Sequence, residues 1–260
     1  MWIDSHCHLD SPEFDADRDD VVAQSRLAGV DTIINFPGHV DHFAQAKATR
    51  KRYGCLTGYG IHPMWVTGPS GHSSREHISV LRRCVETETP ELIGEIGLDF
   101  FVHDFNQSEQ EWFFSEQLKI ARDFDLPVSL HVRRSQDHIL KHLRRIKVRG
   151  GFAHAFNGSP QQAAEFVKLG FCLGFGGTAT FPQAQRVRAL LHDVPLENVV
   201  VETDAPDIPP SFLGTMGSTA RNSPAFLPQI GTLLASVRGI TAEAFAAATT
   251  DNVRRIIGTK

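Results

Sequence analysis

The sequence predicts an α/β fold, a (β/α)8 TIM barrel, with residues 1–260 forming one domain. Three observations predict it. Short apolar runs bounded by Gly and Pro alternate with longer amphipathic stretches about eight times, the pattern of parallel strands buried on both faces. The length of 260 residues matches the ~250 usual for that barrel. The first strand–helix turn carries no G-x-G-x-x-G loop, which argues against the rival architecture, a doubly wound open sheet.

Along the chain, the first apolar run is Trp2–Ser5. FDADRDDVVAQSRLAG then places Val21, Val22, Ser25 and Leu27 near one helical face and stops at Gly29, a C-cap. Thr32–Phe36, Leu56–Ile61 and Leu92–Leu98 read as the next strands, with His39 and His42 early in the intervening helix. QSEQEWFFSEQLKIARDFDLP puts Trp112, Phe113, Leu118 and Ile120 at helical spacing and ends before Pro127. Pro127–Val132 and Gly150–His154 follow as strands. Between them RRSQDHILKHLRRIKVRG reads as an outer helix whose charges, with His138 and His142, form a solvated face. SPQQAAEFVKLG has Ser159 as N-cap, Pro160 at the first helical position and Gly170 at its end. The last strands are Phe171–Gly176 and Val199–Asp204. The longest loop-like stretch, Pro209–Pro224, comes next and is placed to line a site, and a final helix starts from Thr241.

Composition narrows the function. A formal charge of -4 excludes a globally basic nucleic-acid coat protein, though not a local basic patch. Cys7, Cys55, Cys84 and Cys172 are scattered without a C-x-x-C pair, which fits a reducing cytosol rather than a disulfide framework. No run of about 20 apolar residues and no basic leader is present. The expectation is a soluble cytoplasmic protein with no membrane contact and no obligate protein partner.

In a barrel of this kind function sits at the C-terminal ends of the strands, and those ends carry an unusual set of side chains. The first ends in His6 and His8, the third in His62, the fifth in His131 with Arg133 two residues on, the sixth in His154, and the eighth in Glu202 and Asp204; Glu95 lies inside the fourth. Strand alternation puts His6 with His8 on one face and Cys7 on the other, and likewise pairs His131 with Arg133. A lone strand-end histidine is most often structural, and a lone glutamate in GEIG would be a satisfied buried carboxylate. Five strand ends of the eight with metal-type ligands are a different matter. Four histidines and two carboxylates exceed the needs of one tetrahedral ion and suit two ions about 3.5–4 Å apart sharing a carboxylate. His72, His77 and His192 have no ligand partner nearby in the sequence, while His103, following GLDFFV, could reach the barrel mouth. The basic run beyond Arg133 reads as a solvated helix face, whereas Arg133 can fork onto a phosphate beside the ions.

DSHCHLD, GIHP, GEIGLDF, LHVR, HAFNGS, ETDAPDI and RNSP, in this order over essentially the whole chain, make the sequence resemble the TatD family of metal-dependent hydrolases, within the amidohydrolase-like barrels. The resemblance implies metal ligation by His6, His8, His131, His154 and Asp204, with Glu95 bridging. Glu95 stands where many related amidohydrolases carry a modified lysine. Members are described as metal-dependent deoxyribonucleases, typically acting from the 3′ end, and some relatives have been linked to removal of D-amino acids from tRNA. Ser223 where Glu is frequent, Asn157 where Ser is commoner, and Met64 and Trp65 after HP depart from the pattern without removing a ligand.

The expected activity is therefore hydrolysis of single-stranded DNA ends by a two-metal site. Asp204 would ligate and act as base, Glu95 bridge, His62 and Arg133 hold the phosphate, and Glu202 orient ligands. Mg²⁺ or Mn²⁺ is expected in function, with Zn²⁺ or Ni²⁺ in the purified protein. Two alternatives remain at this point: an esterase or amidohydrolase such as a D-aminoacyl-tRNA deacylase on the same site, and a binding module with closed, structural ions.

Overall fold

The computed structural model describes residues 1–67 and 71–258. The strands and helices alternate as β1 (Trp2–Cys7), α1 (Arg18–Leu27), β2 (Val30–Asn35), α2 (Phe43–Tyr53), β3 (Leu56–Tyr59), α3 (Pro63–Val66), α4 (His77–Glu88), β4 (Leu92–Asp99), α5 (Gln107–Asp123), β5 (Val128–Arg133), α6 (Gln136–Arg145), β6 (Gly151–Ala153), α7 (Pro160–Lys168), β7 (Phe171–Phe175), α8 (Gln185–Asp193), β8 (Val199–Val201), α9 (Leu227–Arg238) and α10 (Ala242–Ile257). The eight strands lie in sequence order, every adjacent pair from β1–β2 to β7–β8 parallel. This is the (β/α)8 barrel expected. It follows from strands that are apolar on both faces, each returned by a helix.

The gap between β8 and β1 is bridged by separate hydrogen bonds that place the site. Asp204 N donates to His6 O (2.9 Å) and His8 N to Ala205 O (2.8 Å). Side chains reinforce them: Ser5 Oγ donates to Val201 O (3.1 Å), while Asp4 accepts from Thr203 N (3.0 Å) and Thr203 Oγ1 (2.6 Å). These bonds set His6 and His8 directly against Asp204.

Local sequence explains the helices that matter here. α7 begins in a full capping box, Ser159 and Gln162 each accepting the other's backbone N–H. α10 is capped by Thr241 accepting from Ala244 N and stops at Gly258 in the left-handed conformation. α9 crosses the bottom of β1 so closely that a Cβ at Gly231 would lie 2.3 Å from the Trp2 ring, so only glycine admits the indole.

Several expectations are corrected. Leu27 is exposed at the end of α1, whereas Val21, Val22 and Ser25 are buried. Strand β8 ends at Val201 and β6 at Ala153, so Glu202, Asp204 and His154 leave the strands before they turn inward. His39 precedes the short 3-10 turn Val40–His42 as its cap rather than lying in a helix. His142 is buried rather than solvated: it meets Ser115 Oγ (2.9 Å) and Glu111 (3.4 Å), and His138 contacts the same carboxylate (2.9 Å), clasping α6 to α5. Among the described residues no single helix is long and apolar enough to cross a membrane.

Candidate metal centre

At the C-terminal ends of the strands lies a cavity of about 1160 Å³ lined by His8, His62, Glu95, His131, His154 and Asp204, with Arg133 and Trp65 on its wall. The Glu95 carboxylate, 1% exposed, is the hub. Its Oε1 lies 2.9 Å from His131 Nδ1, 2.9 Å from His154 Nε2 and 3.4 Å from His62 Nε2. Its Oε2 lies 3.1 Å from His6 Nε2 and 3.6 Å from His8 Nε2. Asp204 completes the second side, Oδ1 being 3.6 Å from His6 Nε2 and 3.4 Å from His8 Nε2. Asp204 reaches in from a left-handed backbone (φ 57°), a conformation that aspartate tolerates better than most residues. Each sequence-predicted ligand is thus within this group, and the three sets His6–Glu95–His154, His6–His8–Asp204 and His62–Glu95–His131 each bring donor atoms within 4.8 Å of one another.

The outer partner of each imidazole indicates which nitrogen holds the proton, and so where its lone pair points. His8 Nδ1 donates to Phe36 O (2.7 Å), so Nε2 is the nitrogen turned on Asp204 (3.4 Å). His131 Nε2 faces Asp99 Oδ2 (2.9 Å), which leaves Nδ1 towards Glu95. His154 Nδ1 lies 3.5 Å from Glu202 Oε1, with Nε2 towards Glu95. His6 Nδ1 meets Ser129 Oγ (3.2 Å), and its ring is sandwiched between Phe36 and His154 at 4.4 and 4.0 Å. Four imidazoles are therefore fixed by the surrounding protein with one nitrogen each turned on two carboxylates.

His62 differs. Its Nδ1 accepts from Met64 N (3.1 Å), so its Nε2 carries the proton and is a donor, aimed at His131 Nδ1 (3.0 Å) and the Glu95 edge. It sits among the ligands but presents an N–H, which suits an anion better than a cation.

The electrostatics fit bound cations. Burial opposes the charge on Glu95, yet His154, His62 and His6 hold its carboxyl well below the usual range. Burial likewise opposes ionisation of Asp204, and the imidazoles of His154, His8 and His6 outweigh it. Burial pushes His62 down to about 4 and lowers His6 as well. Against burial, Asp204 and Glu95 raise His8 to about 10, and the same carboxylates with Glu202 raise His154 well above its ordinary value. The two carboxylates thus favour positive charge at His8 and His154. Among the described residues, buried Asp204 Oδ1 makes no hydrogen bond of acceptable geometry, as expected of a group arranged around an ion.

Three contributors escaped the sequence reading. Asp99 positions His131, and the signal was available: Glu95, Gly97 and Asp99 alternate along one face of β4. Ser129 and the Phe36 carbonyl carried no signal. Glu202 lies behind the histidines, Oε1 accepting from Ala155 N (2.6 Å) and 3.5 Å from His154 Nδ1, and Gly174 makes room for it, since a Cβ there would lie 2.2 Å from Glu202 Oε2. Cys7 packs in the core as expected. Asp4 closes the barrel through Thr203. Pro209–Pro224 does not line the cavity: its residue Asn222 braces the wall from outside, donating to Thr203 O, Asp207 O and Ile208 O (2.8, 3.1 and 3.2 Å).

Imidazole lone pairs and carboxylates delivered from separate strands to the mouth of a parallel barrel make the chain a metal-dependent hydrolase of the barrel type, binding divalent metal. The comparisons with known proteins refine that class. Residues 3–258 match the family model described as TatD related DNase, and the chain belongs to that family. It is 36% identical over 255 residues to the uncharacterised metal-dependent hydrolase YjjV of Escherichia coli K12, covering 96% of this chain and 95% of that protein. It is 33% identical over 264 residues to the 3′-5′ ssDNA/RNA exonuclease TatD of Klebsiella pneumoniae, covering 98% and 97%. The crystal structure of the E. coli YjjV protein superposes with a TM-score of 0.92 at 35% identity, covering 100% of this chain and 98% of the other.

Proposed function

We propose that the protein removes nucleotides from the 3′ end of single-stranded DNA or RNA, using two divalent ions, Mg²⁺ or Mn²⁺ in function. The observation that carries the reading is the division of Glu95: Oε1 faces His131 and His154, and Oε2 faces His6 and His8 beside Asp204. One carboxylate between two donor sets is what a pair of ions sharing a bridge requires. The relative named as a 3′-5′ ssDNA/RNA exonuclease supports the substrate class.

His6, His8 and Asp204 would hold one ion and His131 and His154 the other, with Glu95 common to both. When bound, the ions supply Lewis-acid charge for a phosphate and lower the pKa of water. The protein's own groups do the rest. Asp204, kept ionised by its imidazole neighbours, takes the proton from the attacking water. His62 Nε2–H and the Arg133 guanidinium hold the non-bridging phosphate oxygens. Arg133 suits this place: it lies on the cavity wall, stacked on Phe101 at 4.0 Å with Nη1 3.7 Å from Asp99, and its side chain is 45% exposed. Stacking fixes the guanidinium plane while leaving its donors open to an incoming phosphate.

The test offers the protein a 5′-labelled single strand, a blocked 3′ end and a D-aminoacyl-tRNA ester, each across a metal panel. The reading predicts a ladder shortening from the free 3′ end, no cutting of the blocked strand, and dependence on added metal. Turnover of the ester with both strands intact would replace it with the deacylase alternative.

A further inference from the structure

Beside the mouth of the barrel, the loops after β2 and β3 gather a second set of histidines. His39, 0% exposed, lies at its centre. Its Nδ1 is 3.1 Å from Asp41 Oδ2, and the same oxygen is 3.2 Å from His72 Nε2. His72 and His77 meet the His39 ring edge-on at 4.4 and 5.0 Å, and Trp65 covers its face at 5.4 Å. One donor atom each from His39, Asp41 and His72 falls within 4.8 Å of the others.

The group is built rather than incidental. His72 N and Ser73 N both donate to Trp65 O at 3.0 Å, fixing His72 against the indole. Gly38 lets the other loop approach, since a Cβ there would lie 2.7 Å from Trp65 Nε1. The two forms of the His39 ring differ in what its Nδ1 offers to Asp41. A fully buried imidazole favours its neutral form. If Nδ1 carries the proton towards Asp41, the Nε2 lone pair is buried with no hydrogen-bond partner among the described residues. If Nε2 carries it, the Nδ1 lone pair and the Asp41 carboxylate oxygen face one another at 3.1 Å, with Asp41 N at 3.4 Å, which is the arrangement an ion between them would use; Nε2 has no partner among the described residues in either form and does not decide between them.

We propose that His39, Asp41 and His72 form a second metal site, separate from the centre around Glu95, for a transition-metal ion of the zinc or nickel kind. Two imidazoles and one carboxylate select such ions over Mg²⁺ and Ca²⁺, which prefer all-oxygen shells. Bonds of 2.0–2.1 Å in a tetrahedral site put neighbouring donors roughly 3.3 Å apart, close to the 3.1 and 3.2 Å that separate Asp41 Oδ2 from the two ring nitrogens. His77 stands beside the set, its ring 5.0 Å from that of His39. Because His42 and Trp65 also line the main cavity, an ion here clamps two of the loops that form its wall.

The test counts ions. Chelator-stripped full-length protein is equilibrated with Zn²⁺ and the bound metal measured, alongside His72→Ala and Asp41→Asn, both altered at exposed side chains, and His154→Ala. Emission from Trp65, isolated in a Trp2→Phe, Trp112→Phe background, is followed during Ni²⁺ titration. The proposal predicts one ion fewer in His72→Ala and in Asp41→Asn than in the unaltered chain. It also predicts saturable quenching of Trp65 that persists in His154→Ala and disappears in His72→Ala. Equal metal content in the unaltered chain and both loop variants, or quenching lost with His154 and retained without His72, would overturn it. Failure of the proposed nuclease reading would leave these outcomes unchanged, because neither readout involves turnover.

Discussion

Asp99→Asn is the sharpest test of how the metal centre is held. Asp99 Oδ1 accepts from Phe101 N (2.9 Å) and Val102 N (3.3 Å), and these bonds fix which end of an asparagine would face which way. The amide oxygen must stay on the two backbone N–H groups, so the amide NH2 is presented to His131 Nε2, 2.9 Å away in the native chain. A donor there forces His131 Nε2 to accept, moves the ring proton to Nδ1, and removes the lone pair now turned on Glu95. The substitution alters neither volume nor the loop bonds; it changes the tautomer of one ligand. Loss of such an outer partner typically weakens metal binding by about 10–100-fold, which is about 1.4–2.7 kcal/mol. Chelator competition with Zn²⁺ or Mn²⁺ reads this directly, with thermal unfolding of the metal-free protein as the control for folding. Metal affinity within twofold of the native chain, in a folded variant, would refute the assignment of His131 Nδ1 as a ligand atom and with it the role of Asp99.

Other predictions follow from the same geometry. Because the pKa of His8 is raised to about 10 and that of His154 also lies well above its ordinary value, both are protonated at neutral pH without metal. Metal binding must then release protons, and affinity must fall as pH falls; calorimetry in buffers of different ionisation enthalpy counts the protons, and a count of zero at pH 7 would contradict the charge arrangement. Asp4, fully buried, is pushed from 3.8 to about 7, chiefly by burial and against its bonds to Thr203. The folded chain therefore keeps a proton that the unfolded chain gives up between about pH 4 and 7, so stability falls as pH rises through that window, by about 4 kcal/mol in total. Asp4→Asn removes this slope, as urea unfolding of the metal-free protein at several pH values would show. Arg133→Ala should leave metal content unchanged and lower kcat/KM on single-stranded DNA by about tenfold to a hundredfold, the range for a lost hydrogen bond to a charged group of about 1.5–3 kcal/mol.

The barrel and the convergence of His6, His8, Glu95, His131, His154 and Asp204 at its mouth were legible because both rest on rules that act within a few residues. Alternation places His6 and His8 together, and the end of each strand is where a parallel barrel opens its site. The rule reached its limit in β8, which stops at Val201: Glu202 and Asp204 still face inward, but the hydrogen bond from Asp204 N to His6 O and a left-handed backbone put Asp204 there, not strand periodicity. Asp4 is placed by its bonds to Thr203 across the closing seam of the barrel, a contact that no local pattern shows. What remained hidden depends on contacts between distant segments. The His39–Asp41–His72 group joins two loops separated by a strand and a helix, and His142 is buried only because α5 supplies Glu111 and Ser115. Leu27 was misplaced because helical spacing locates a face but does not say where the neighbouring surface ends.

The central claim is that Glu95 joins two ions in a centre that cuts nucleic acid. The most direct measurement is the number of Mn²⁺ ions bound and their magnetic coupling by electron paramagnetic resonance, taken on the sample that is assayed on a 5′-labelled single strand. Protein with the His39 group disabled by His72→Ala keeps the loop site from entering the count. The account predicts a spin-coupled pair, progressive shortening from the 3′ end, and loss of both coupling and cutting in Glu95→Gln. A single uncoupled ion supporting full activity, or a coupled pair that leaves the strand intact in every metal, would contradict it.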